Sequence, residues 1–189
     1  MLNVTGLIQQ RRHKQDLKQQ KINHAAILDL LDAAIHGIAQ SRKEHWAFVI
    51  IQDGNTLHRL FERASMSLEK DVQADLGSKD KLMPERFQPA ELNGFYSDKA
   101  LVAVCGKSAD HYVASDCWQI ARNLIIAAEA KGLESGVTAH LAPILNTAEW
   151  KQELDIASGI HVFVPLILRV VGKNRTINPR IHAEVISWK

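Results

Sequence analysis

The sequence carries only two cysteines, Cys105 and Cys117, among 189 residues. They form neither a disulfide framework nor a metal-ligand spacing. Both lie in apolar stretches, which predicts buried thiols in a reducing compartment. The opening MLNVTGLIQQRR lacks the apolar core and small-residue cleavage site of a secretory signal. The longest apolar run, Val162 to Leu168, contains Pro165 and is too short to span a bilayer. A cytoplasmic protein with no membrane partner is therefore expected. Net charge is only +2, too little for wholesale nucleic-acid binding, and aromatic residues do not interleave with the basic ones. No Gly-x-Ser-x-Gly elbow exists, which excludes that nucleophile arrangement around Ser115–Asp116 or Asp110–His111. No glycine-rich phosphate loop exists either; Gly172–Lys173 stands alone. The nine histidines include no His-x-x-x-His pair, and His24, His36 and His45 are far apart. They read as surface or interfacial imidazoles, and no metal site is expected.

What is present is an ordinary globular composition, 46% hydrophobic and 23% charged, at a length that suits one domain over residues 1–189. Leu2 to Gln20 reads as a short helix or turn. From Ile22 to Gln40 apolar residues recur at helical spacing (Ile27, Leu28, Leu30, Leu31, Ala34, Ile35, Ile38), with Asn23 as a candidate N-cap. Trp46 to Ile51 and Leu101 to Cys105 suit buried strands. Between them, Thr56 to Leu76 places Leu57, Leu60, Phe61, Ala64 and Leu68 on one helical face, and Gly77 to Lys99 reads as a long polar loop. His111 to Lys131 predicts a helix apolar over most of its circumference, which must be central to a core or covered by a second subunit. Trp118 and Trp150 are expected to pack. After Gly132 come a loop rich in small residues, a short helix near Glu149–Leu154, a strand from Val162 to Val171, and an extended tail from Gly172 to Lys189. No internal repeat is present.

The strongest local feature is basic. Arg11, Arg12, Lys14, Lys18 and Lys21 crowd one segment, with Asp16 the only acid among them. Guanidinium groups clamp phosphate in a bidentate way, so Arg11–Arg12 suits an anionic ligand. A solvated basic face explains the same residues.

Arg11-Arg12-His13-Lys14-Gln15, the helix Ala25–Gln40 and the segment Trp46 to Ile51 together resemble the opening of the nitroreductase family. That opening runs Arg-Arg-Ser, a helix, a Pro-Ser-x-x-Asn-x-Gln-Pro-Trp turn and an apolar strand. Asn123 to Leu133 is similar to the family's Asn-Leu-x-x-Ala-Ala-x-x-x-Gly-Leu segment. The resemblance extends to the last strand with Gly172 and to the carboxyl end with Arg180, Glu184, Val185 and Trp188.

The resemblance implies an α+β fold, a central, mostly antiparallel sheet flanked by helices, working as an intertwined homodimer with FMN at the subunit interface. It implies that Arg11 and Arg12 contact the FMN phosphate or the polar ring edge, with His13 at the family's Ser position. His36 and Gln40 fall at the turn that reaches the flavin of the other subunit. Val137, Thr138 and Ala139 fall in the loop that runs along the ring, and Arg180 falls at a second phosphate-binding position. Residues 173–189 would be a C-terminal extension packing on the partner. The implied activity transfers a hydride from NAD(P)H through FMN to a nitroaromatic, quinone or similar acceptor. No general acid or base is singled out.

The departures leave a rival open. Residues 38–45 keep none of the family's turn before Trp46, and Gln15 stands where a basic residue is often found. Arg42 there could stabilise an anionic reduced flavin. The same losses suit a flavin- or ligand-binding protein on this scaffold without redox turnover. A third reading uses Arg11 to Lys21 as an arm for nucleic acid or an acidic partner.

Overall fold

The computed structural model describes residues 15–17, 20–36, 38, 45–74 and 99–175. The described residues form five strands and five α-helices in the order β1 (Gln15–Leu17), α1 (His24–Ile35), β2 (Trp46–Ile51), α2 (Gly54–Ala74), β3 (Ala100–Gly106), α3 (His111–Ala130), β4 (Leu133–Val137), α4 (Ala142–Leu145), α5 (Ala148–Glu153) and β5 (His161–Arg175). A 3-10 turn, Ala139–Leu141, joins β4 to α4. The expected α+β class and antiparallel sheet are found: among the described residues every strand pair is antiparallel.

The sheet is organised around β5. Its residues Leu166 to Leu168 pair with β3 on one edge and with β4 on the other, while β2 extends the sheet beyond β3. The far end of β5 pairs with β1, through Leu17↔Val171 and Gln15↔Arg175. Pro165 sits inside this strand, where proline normally costs a ladder bond. Its carbonyl faces β4, accepting from Thr138, and the N and C=O of a strand residue point the same way. The missing N–H therefore falls on the side where β4 has already ended.

Alternation along the central strands divides the interior. Ala100, Val102 and Val104 face one core with α1 and α3; Leu101, Ala103 and Cys105 face a second with α2, α4 and α5. The helices fit these faces by their apolar stripes: Ile27, Leu30, Leu31 and Ala34 of α1, and Leu57, Leu60, Phe61 and Ala64 of α2, are all buried. Each fully buried leucine contributes about 1.5–3 kcal/mol. Asn23 caps α1 as expected, its Oδ1 accepting the Ala26 N–H at 2.7 Å. Asp110 caps α3 in the same way, on the Tyr112 N–H at 2.7 Å. At the other end Gly132, at φ +71°, takes the left-handed position that releases the chain from α3.

Four readings need correction. Gln15–Leu17 is a strand rather than part of a helix or turn; a short polar tripeptide has no pattern of its own and is ordered by the β5 edge. Leu133–Val137 is also a strand, its Ser and Gly masking the two apolar residues, Leu133 and Val137, that face the first core. Trp150 packs as expected, but Trp118 is 45% exposed, on the α3 face opposite Cys117, Ile120, Ala121 and Leu124. The last strand also runs further than expected, through Gly172 to Arg175. Both cysteines are free and buried, and burial pushes each thiol up to about 12. Among the described residues no helix is long and apolar enough to cross a membrane.

Candidate functional site

The sequence-derived site residues divide between described and undescribed segments. Arg11, Arg12, His13, Gln40 and Arg180 lie outside the described residues. The chain beside them is described, however. Gln15 follows Arg12 by three residues, and Arg175 precedes Arg180 by five. β1 and β5 are antiparallel, and Gln15 pairs with Arg175.

His36 ends α1, where the backbone turns extended. Its Nδ1 lies 3.1 Å from the Asp32 carbonyl, and the ring is exposed. Asn123 of α3 donates its amide to the Ala34 carbonyl at 3.0 Å, fixing this helix end against α3. Val137, Thr138 and Ala139 are placed elsewhere, where β4 passes into the 3-10 turn. Thr138 directs both its N–H (2.9 Å) and its hydroxyl (3.1 Å) at the Pro165 carbonyl, so its donors are spent inside the fold. Val137 packs on the first core, while Ala139 is exposed. Next to them His140 is half-buried, edge-on to Phe61 at 6.3 Å, and burial lowers its pKa.

One buried donor stands out. The indole N–H of Trp46 is buried without a partner among the described residues, at the point where the 38–45 segment enters β2. An unmatched buried donor is costly unless something outside the described set receives it.

Sequence reasoning missed an open cleft of about 510 Å³ at the start of α3. Its walls include His45, Lys107, Ser108 and Tyr112, which are exposed, and Val113 and Asp116, which are buried. The Lys107 N–H donates to the His45 carbonyl at 2.8 Å, bringing together residues far apart in sequence. Gly106 makes the turn possible: a Cβ there would meet Val113 Cγ1 at 2.5 Å and a Phe163 ring carbon at 2.7 Å. Phe163 reaches that point because it is the extra residue of a β-bulge, Val104 pairing with Val164 but Cys105 with Val162. The cap at Asp110 was the one local signal that could have located this corner.

A second polar group lies on the opposite part of the sheet. Glu134 and Arg169, register partners on β4 and β5, form a bidentate pair at 2.8 and 2.5 Å. Lys99, 6% exposed, is close enough to feel both charges. Burial first, and then Arg169, lower its pKa to about 7, with Glu134 opposing.

A model of the Nitroreductase family matches residues 8–173. No curated protein matches the sequence. Among solved structures, the fold is similar to a nitroreductase with bound FMN from Bacteroides fragilis, at TM-score 0.73 and 18% identity over 99% of this chain and 98% of that one. It is similar also to an iodotyrosine deiodinase bound to FMN and 3-iodo-L-tyrosine, at TM-score 0.71 and 20% identity over 97% of each chain. A nitroreductase with bound FMN from Desulfitobacterium hafniense matches at TM-score 0.70 and 15% identity over the whole of both chains.

Proposed function

This chain belongs to the nitroreductase family, and we propose that it is an FMN-dependent oxidoreductase that takes a hydride from NAD(P)H and reduces a nitroaromatic, a quinone or a similar acceptor. The observation that carries this reading is the Gln15↔Arg175 pairing. It gives a physical reason for Arg11, Arg12 and Arg180, distant in sequence, to serve one phosphate group. When bound, FMN supplies the redox chemistry; the protein supplies binding, orientation and electrostatics.

The described residues fit such a group. An isoalloxazine ring needs apolar contact on its faces and hydrogen-bond donors along its polar edge. Val137 and Ala139 offer the first. The exposed His36 imidazole offers the second. Thr138 acts differently in this reading: with both donors on Pro165, it fixes the course of the Val137–Ala139 backbone. His36 and the Val137–Ala139 turn occupy two different parts of the chain's fold, which supports a site assembled from two subunits. The exposed Trp118 face of α3 is then the surface for the second copy, as expected of a helix apolar over most of its circumference.

The visible spectrum of the purified protein tests this reading. A flavin spectrum bleached by NAD(P)H is expected, from a protein of dimeric mass. A colourless protein that takes up no added FMN overturns it. Flavin bound without bleaching favours the rival, a binding protein without turnover, to which the altered residues 38–45 point.

A further inference from the structure

The cleft at the start of α3 is lined by none of the side chains assigned above to the flavin, and its chemistry is specific. Lys107 and His45 are exposed, and neither side chain has an ion-pair or hydrogen-bond partner among the described residues. They stand together because the Lys107 N–H is held on the His45 carbonyl at 2.8 Å. Tyr112 is 65% exposed, and its ring lies against His111 with centroids 3.9 Å apart, so an aromatic plate faces solvent at the same corner. Val113 adds an apolar contact. Asp110 and Asp116 also line the space, Asp116 only 6% exposed. A volume of about 510 Å³ lies within the usual range for small-molecule sites.

We propose that this cleft binds an aryl monocarboxylate, with its carboxylate on Lys107 and His45 and its ring on Tyr112 and Val113. Each part of the ligand follows from a wall. An exposed ammonium beside an imidazole and the Ser108 hydroxyl recognises a carboxylate through charge-assisted hydrogen bonds. Tyr112 selects a flat ring by stacking. Asp110 and Asp116 reject a second anionic group, since like charges brought together in a partly desolvated cleft repel. Beside the cleft, Val113 and Phe163 pack closely over Gly106, where a Cβ would meet both within 3 Å.

The test is a calorimetric titration of the full-length protein, as purified, with phenylacetate. Saturable binding is expected, with affinity at least about tenfold weaker for the neutral isostere phenylacetamide and for the dianion 1,4-phenylenediacetate. Lys107→Ala and Tyr112→Ala should each weaken phenylacetate by about the same factor, while Tyr112→Phe retains binding. Both side chains are exposed, so these variants fold, and flavin content and bleaching by NAD(P)H should match the wild type. Equal binding of phenylacetate and phenylacetamide, or wild-type affinity in Lys107→Ala, overturns the proposal. So does a Lys107→Ala variant that changes the oligomeric mass while phenylacetate never binds, which would make the cleft a subunit contact. The site does not depend on the flavin reading: phenylacetate binding to a colourless protein would uphold the cleft and sink only the oxidoreductase.

Discussion

Gln15 pairs with Arg175 across an antiparallel ladder, although 160 positions separate them in sequence. Directly paired strand residues have Cα atoms about 4.5–5.5 Å apart, within reach of a disulfide. The double variant Gln15→Cys/Arg175→Cys should therefore cross-link on oxidation. Cys105 and Cys117, buried with raised thiol pKa values, should not compete. The cross-link should raise stability by about 2–4 kcal/mol and slow FMN loss on dialysis, both reversed by reductant. Failure to cross-link in the native protein would remove the ladder as the organiser of the proposed phosphate site.

Asn146 locks the short helix α4 to the beginning of β5. Its amide donates to the Ala142 and Val162 carbonyls at 2.9 and 2.8 Å, and its Oδ1 accepts the Val162 N–H at 2.9 Å. Asn146→Ala should cost about 1–3 kcal/mol, because two strand groups lose their partners. Asn146→Asp keeps the acceptor for the Val162 N–H but sets a carboxylate oxygen against the Ala142 and Val162 carbonyls, so it should cost no less. Denaturant unfolding of the three proteins gives the order directly.

The turn at Gly106 should tolerate no side chain. In Gly106→Ala the new methyl meets Val113 and Phe163 within 3 Å, and overpacking of this kind costs about 1–3 kcal/mol. Gly136, where a Cβ would meet nothing within 4 Å, is the control. Thermal unfolding in which both alanine variants match the wild type would contradict the packing described.

Lys99 should make stability rise with pH above neutrality. Its folded pKa, about 7, lies below the unfolded value of 10.5, so between these values the unfolded chain holds the extra proton. The folded state is then favoured progressively as pH rises through that window, by at most about 1.4 kcal/mol per pH unit, and the contribution is flat below it. The measurement is the stability difference between wild type and Lys99→Met from pH 6 to pH 10. It should move in favour of the wild type as pH rises; a constant difference would mean the ammonium is no less favoured in the fold than in the unfolded chain.

Much of the architecture was legible because it rests on local periodicity. The stripe of α1, the cap at Asn23, the apolar runs of β2 and β3 and the buried face of α2 each follow from spacing alone. The elements that escaped are those whose order comes from a neighbour. β1 is polar and three residues long, and β4 holds a Ser and a Gly; both are strands because β5 offers them a ladder. Trp118 is exposed in this chain because an apolar helix records how much of its surface is apolar, not which part this chain covers. The cleft was invisible for a further reason: His45 and Lys107 meet through a backbone bond between strand ends, and no motif spacing encodes that meeting.

The long last strand also orders events in time. β4 closes on β5 across only 29 residues at Val137↔Leu166, whereas β1 must find β5 across 154 at Leu17↔Val171. Chain-closure entropy grows with that separation, and a three-residue strand returns few contacts for it. The central sheet can therefore form before β1 docks, and among the described strand pairs the β1–β5 ladder is expected to open first. A ligand that bridges the segments beside that ladder would act as a latch, closing the last step of folding as it binds.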